Sequence, residues 1–306
     1  MTAPPRRLAR PVVDGFTLLE APRWHDGALW ASDFFSRRVL RFAVNGSVVG
    51  RVETVCEVPG RPSGLGFMPD GALRISSMDD CRLLEFTGAQ LVEVASFGEL
   101  VTGPANDLAI DRSGTAIIGN FGVDPTAPLM ASPTRLVRVD AGGAVSIAAE
   151  DLVFPNGIVI DEARGLLFVA ETYRHRITAF DYDGGTLANR RVWHEFDPDP
   201  HPHDDGPYDI LALTEAGNTI VDGLARDAEG AIWAANASGA AQRVLDGQVV
   251  EVIDTDGLGT YSLALGGADG RDLYLCCAPP VETWDPRTSA RSVLYHVRVD
   301  VPAPSA

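Results

Sequence analysis

Four side chains that can offer oxygen to a hard cation recur at one position of a repeated segment: Glu20, Asn106, Asn156 and Asp222. Each opens a short apolar unit: Glu20-Ala-Pro-Arg-Trp24, Asn106-Asp-Leu-Ala-Ile110, Asn156-Gly-Ile-Val-Ile160 and Asp222-Gly-Leu-Ala-Arg226. Two further copies, Ser63-Gly-Leu-Gly-Phe67 and Tyr261-Ser-Leu-Ala-Leu265, carry Ser and Tyr instead. Carboxylates and amides are the ligand types of Ca²⁺ and related oxygen-preferring ions. Two carboxylates offset one divalent charge and would repel each other without it. Any one of these residues, taken alone, reads as a turn residue bonded to nearby backbone. Four donors in register make a cation site the stronger expectation, with Ca²⁺ first and Mg²⁺, Mn²⁺ and Zn²⁺ open.

The elements that must position these donors follow from the same repeat. A unit recurring every ~40–65 residues signals a repeat architecture. Each copy is followed by an X-Gly turn (Asp26-Gly27, Asp70-Gly71, Ser113-Gly114, Arg164-Gly165, Glu229-Gly230, Asp269-Gly270) and then a β-favouring run. Second strands are expected at 28–34, 72–78, 115–121, 165–172, 231–237 and 272–278. Third strands follow at 38–42, 81–86, 135–139, 176–180, 241–245 and 293–299. Fourth strands fall at 47–58, 90–97, 144–149, 190–196 and 248–254, and the stretch 8–19 supplies the one missing from the last copy. The expectation is all-β: a six-bladed β-propeller of four-stranded blades, the last completed by the N-terminal strand, in a single domain over 1–306. The first strand of each blade lines a propeller's channel, so the donors gather at one of its ends. The segment 194–220, with Asp197-Pro-Asp-Pro-His-Pro-His-Asp-Asp205, reads as a loop over the channel mouth. Its His201, His203, Asp204 and Asp205 read more readily as a solvated acidic loop than as a transition-metal site.

Composition limits the partners. A formal net charge of −17 argues against nucleic acid and anionic membranes. No apolar run reaches membrane-spanning length, and no secretory signal is evident, so the cytoplasm is expected. Cys56, Cys81, Cys276 and Cys277 form no C-x-x-C pair and read as reduced, buried thiols. A monomer or weak homo-oligomer is expected. Trp24, Trp30, Trp193, Trp233 and Trp284 read as packing residues, and Glu171 and His175 as structural hydrogen-bonding groups.

The chain resembles the senescence marker protein/gluconolactonase family, which includes regucalcin and bacterial sugar lactonases. The resemblance rests on Glu20-Ala-Pro-Arg-Trp24, Asn106-Asp107 with Asp111 and Gly114, Phe154-Pro-Asn-Gly157 before Ala170-Glu-Thr172, Asp222-Gly223, and Leu265-Gly-Gly267 before Leu273-Tyr-Leu275. It implies a propeller with one divalent metal, held by Glu20, Asn156 and Asp222. Asp222 would double as general acid/base, and Asn106 would contact substrate and could reach the metal. Asn120, Phe121 and Tyr261 are the remaining substrate-side candidates, with Tyr208 a further candidate for the pocket wall. One departure stands out: sugar lactonases of the family often carry Arg where this chain has Pro104, which points toward a less polar lactone or ester. The implied activity is metal-dependent lactone hydrolysis: a polarised carbonyl, attack by water, and proton transfer by Asp222. No G-x-S-x-G elbow is present to suggest a serine hydrolase. A paraoxonase-like ester hydrolase and a non-enzymatic ligand- or protein-binding propeller are the competing readings.

Overall fold

The computed structural model describes residues 3–123, 130–201, 207–280 and 283–305. Six four-stranded sheets succeed one another, the arrangement of a six-bladed β-propeller. Sheet 1 is Leu19–His25, Ala28–Asp33, Arg38–Asn45 and Val48–Glu57; sheet 2 is Pro62–Phe67, Leu73–Ser77, Arg82–Phe86 and Leu91–Ser96. Sheet 3 is Ala105–Ile110, Ala116–Asn120, Pro133–Val139 and Val145–Val153; sheet 4 is Pro155–Asp161, Leu166–Glu171, Arg176–Asp183 and Thr186–Glu195. Sheet 5 is Val221–Arg226, Ile232–Asn236, Gly239–Leu245 and Gln248–Asp254. Sheet 6 is Gly259–Gly266, Asp272–Ala278 and Ser292–Arg298, completed by the N-terminal strand Arg10–Phe16 against Ser292–Arg298, as expected. The strands form where branched and aromatic residues alternate with turn residues, and all six expected turn glycines adopt positive φ (62–89°).

The chain divides into two compact units. One, Met1–Glu57 with Asp222–Ala306, holds sheets 1, 5 and 6; the other, Val58–Val221, holds sheets 2, 3 and 4. Within each unit the cores lie between successive sheets. Sheets 3 and 4 share Leu136, Leu152, Ile158, Val169 and Phe180, while Leu83, Leu108, Ile118 and Val137 fill the space between sheets 2 and 3. Ile117 and Ile118 enter different cores, as strand alternation requires. Cys276 and Cys277 divide the same way: Cys276 packs with the sheet 1 residues and Cys277 with Trp233 of sheet 5. All four cysteines are free thiols, and burial pushes those of Cys276 and Cys277 well above the usual range. Trp24 stacks on Tyr274, 6.0 Å between centroids, in the sheet 1–sheet 6 core.

Two features depart from expectation. Arg6–Leu8 adds a fifth, parallel strand to sheet 5 beside Val252–Asp254; a three-residue basic segment carries no periodic signal. The segment 194–220 is not loop throughout. The last strand of sheet 4 runs to Glu195, Tyr208–Asp209 pairs with Met130–Ala131, and a short helix spans Ile210–Glu215, capped by Asp209 Oδ1 accepting the Ala212 N–H. His203, Asp204 and Asp205 of the expected His/Asp cluster lie outside the described residues; the described His201 sets its ring edge-on to Tyr208, 4.8 Å away. Among the described residues, no helix is long and apolar enough to cross a membrane.

Candidate metal and substrate site

Glu20, Asn106 and Asn156 stand where the first strand of a sheet loses register with the second. The pairing shifts between Glu20 and Arg23, Pro62 and Leu65, Ala105 and Leu108, Pro155 and Ile158, and Thr260 and Ser262. Ser63, Asn106, Asn156 and Tyr261 lie inside those bulges, and Glu20 lies at the edge of one. A bulge takes residues out of the ladder and re-aims their side chains, so these positions escape the strict alternation of the strand. Ala21, beside Glu20, adopts φ 46°, a conformation unusual for a residue with a Cβ. Asp222 is the second residue of Val221–Arg226.

Strands of neighbouring sheets nearly touch at these positions within each unit. A Cβ on Gly64 would lie 2.4 Å from Leu108 N, and one on Gly119 would lie 2.2 Å from Pro155 O. On Gly223 it would meet Ser262 Oγ at 2.2 Å. Glycine is required here by close approach of backbone or of a neighbouring side chain, which explains the Ser63-Gly64, Gly119-Asn120 and Asp222-Gly223 pairs.

In the unit spanning Val58–Val221, Asn106 is 4% exposed and Asn156 7%. Ser63 Oγ donates to Asn106 Oδ1 at 3.3 Å, and Asn106 Nδ2 has no hydrogen-bond partner among the described residues. The two ends of this amide can exchange places; turned over, Nδ2 donates to Ser63 and Oδ1 is the buried atom left to a ligand. Asn156 Nδ2 donates to Thr172 Oγ1 at 3.3 Å, which commits the amide nitrogen and leaves the oxygen as the group available for coordination. In the other unit, Glu20 is 8% and Asp222 7% exposed. Glu20 Oε2 accepts the N–H of Ala21 at 3.0 Å, so the bulge itself fixes the carboxylate.

These residues fit a divalent cation: the donors are oxygens, desolvated, and include two carboxylates. A donor set half of amides is not a His, Cys, Asp and Glu cluster, and no such cluster of three or more occurs among the described residues.

The substrate-side candidates differ in what their polar atoms already do. Asn120 is fully buried; its Nδ2 donates to Arg135 O at 2.6 Å, and its Oδ1 accepts from Thr134 Oγ1 at 2.7 Å and Gly122 N at 3.2 Å. Those bonds anchor the end of the strand from which Phe121 projects. Tyr261 donates its hydroxyl to Pro279 O at 3.0 Å. Phe121 is half-buried and stacks on Phe154, with centroids 4.6 Å apart. Tyr208 is fully buried and accepts the Arg174 Nε–H at 2.8 Å.

Sequence reasoning passed over Thr172, which holds Asn156, and Tyr173, whose ring meets Phe154 edge-on at 5.0 Å. Glu171 and His175 bear out their structural assignment. Burial pushes the Glu171 pKa up, but Arg176, Arg190, the Thr178 hydroxyl and Arg174 outweigh it and hold the carboxyl below its usual range. Glu171 Oε2 also accepts the Val153 N–H at 3.1 Å, tying sheet 4 to the chain that enters it. His175, fully buried, places Nδ1 2.9 Å from Thr219 O, and burial lowers its pKa. Two clefts of about 500 and 280 Å³ in the Val58–Val221 unit contain none of the candidate residues.

Three solved structures share the fold. A gluconolactonase from Xanthomonas campestris is 22% identical, with 99% of this chain and 96% of that one covered and a TM-score of 0.70. A calcium-binding protein, regucalcin, from Agrobacterium tumefaciens is 20% identical, covering 99% and 97%, at 0.73. A luciferin-regenerating enzyme is 15% identical, covering 98% of both chains, at 0.75. No curated protein matches the chain in sequence. Residues 18–278 match the model of the SMP-30/gluconolactonase/LRE-like region, and the chain therefore belongs to that family.

Proposed function

We propose that this chain is a metal-dependent lactone hydrolase. The observation that carries the reading is the placement of the buried oxygen donors Glu20, Asn106 and Asn156 at the bulged starts of first strands, in a member of a family named for gluconolactonases. One divalent cation, Ca²⁺ first, is assigned to Glu20, Asn156 and Asp222, and the six-sheet repeat is read as one domain. The calcium-binding regucalcin of the same fold supports that choice of ion. When bound, such an ion polarises the lactone carbonyl and stabilises the developing oxyanion, an effect worth several kcal/mol.

The chain's own residues supply the rest. Asn106 orients the lactone, with Phe121 and Tyr261 bordering it. Asp222 takes a proton from the water whose oxygen attacks the carbonyl carbon. As the ring C–O bond breaks, Asp222 returns that proton to the leaving alkoxide, and the product is the open hydroxy acid. Asn120 contributes by anchoring the strand end that presents Phe121. A small uncharged lactone suits a chain of net charge −17 better than nucleic acid does, and four free cysteines suit a reducing cytoplasm.

A panel of sugar and aliphatic lactones, run against chelated and Ca²⁺-reloaded protein, tests the proposal. Hydrolysis that disappears on chelation and returns on reloading is expected. Full activity in the chelated protein, or no hydrolysis of any lactone after reloading, would overturn it.

A further inference from the structure

We infer that the substrate carries an apolar ring substituent, alkyl or aryl, that seats against the aromatic wall Phe121–Phe154–Tyr173 beside Asn156. The inference rests on the lactone reading above and names the substrate class for it. Phe121 lies on Phe154 at 4.6 Å with 26° between planes, and Phe154 meets Tyr173 at 5.0 Å and 80°. These are the offset and edge-to-face arrangements that aromatic rings favour.

The wall adjoins the candidate donor through specific bonds. Thr172 joins the two: its N–H donates to Phe154 O at 3.3 Å, and its Oγ1 accepts from Asn156 Nδ2. Phe121 N–H donates to Pro104 O at 3.0 Å, which sets Pro104 against the same edge of sheet 3.

Phe154 itself adopts φ 50°, a left-handed conformation that a bulky side chain occupies only under constraint. Glycine would fit there without strain. Phe154 and Tyr173, 9% and 8% exposed, back the half-buried Phe121, whose ring is the face left for an apolar substituent. Polar side chains next to it are already engaged: Asn120 by Arg135, Thr134 and Gly122, and Thr172 by Asn156. A lactone bearing several hydroxyls would lose its water there and find those side chains occupied, whereas an alkyl or aryl group loses nothing.

The test uses unreactive lactam isosteres on Ca²⁺-loaded full-length protein, followed by calorimetry. One δ-lactam bears an alkyl or phenyl substituent; the other bears hydroxyls at every ring carbon that a sugar lactone would. The substituted apolar lactam is expected to bind at least tenfold more tightly. Phe121→Ala is expected to weaken it at least tenfold and to weaken the hydroxylated lactam by less than threefold. Phe121→Leu, which keeps bulk, should restore part of the loss and serves if the alanine variant misfolds. Tighter binding of the hydroxylated lactam, no binding of the apolar one, or an unchanged affinity in Phe121→Ala would overturn the inference. If the lactams behave as expected but no lactone is hydrolysed, the wall stands and the hydrolase reading falls. If sugar lactones are hydrolysed in preference to apolar ones, the hydrolase reading stands and the apolar substituent is ruled out.

Discussion

Gly119→Ala probes the contact on which the position of Asn156 depends. An added Cβ would lie 2.2 Å from Pro155 O and 3.0 Å from Pro155 C, both backbone atoms that no rotamer change can move aside. Ordinary contact is near 3.5 Å, so the first strand of sheet 4 must retreat from sheet 3 by about 1 Å. Overpacking of this kind costs about 1–3 kcal/mol. At about 2 cal/mol/K per residue the whole chain has an unfolding entropy near 0.6 kcal/mol/K, so the melting temperature should fall by roughly 2–5 °C. Asn156 follows Pro155 directly, and a displacement of about 1 Å at a positioned group can cost on the order of 100-fold. Calorimetric Ca²⁺ titration together with a thermal scan reads both effects. Gly142→Ala is the control, since its Cβ would meet nothing closer than Asp140 Oδ1 at 3.4 Å. Should Gly119→Ala melt and bind Ca²⁺ like the parent, either the two strands do not approach so closely or Asn156 is not a ligand.

Glu171→Gln should destabilise the protein by about 3–5 kcal/mol in denaturant titration, because Arg174, Arg176 and Arg190 would lose the carboxylate buried among them, while Ca²⁺ affinity stays within twofold. Because its folded pKa is depressed, the stabilisation from Glu171 is present above the unfolded value of 4.5 and is lost as pH falls through the folded one. His175 acts in a higher window. Its folded pKa lies below 6.5, so the unfolded chain binds the extra proton and stability declines as pH drops beneath 6.5, by at most about 1.4 kcal/mol per pH unit. His175→Gln should flatten that part of the stability–pH profile, and an unchanged slope between pH 6.5 and 5 would contradict the assignment.

Much of the frame was legible because the repeat recurs with its turn chemistry intact. The strand Asp272–Ala278 and the outer strand Gln248–Asp254 fall where the pattern puts them, and the N-terminal strand completes sheet 6. The donors were legible as residue types at one repeat position. What the sequence does not carry is the bulge at that position, since a register shift depends on how two strands pair. The left-handed Phe154 and Ala21 are hidden for a similar reason: neither residue type signals positive φ, and tertiary contacts impose it. Arg6–Leu8 is invisible to hydrophobic patterning because it is held by backbone pairing and by the Arg7–Glu251 ion pair at 2.8 Å. The helix at Ile210–Glu215 follows a Pro- and His-rich stretch that masks its Asp209 cap.

Ca²⁺ titration of Asp222→Ala against the parent protein bears most directly on the claim that these strand starts hold one catalytic ion. One site per chain is expected in the parent, with at least 100-fold weaker binding in the variant and an unchanged circular dichroism spectrum. No Ca²⁺ binding by the parent, or equal affinity in the variant, would contradict it.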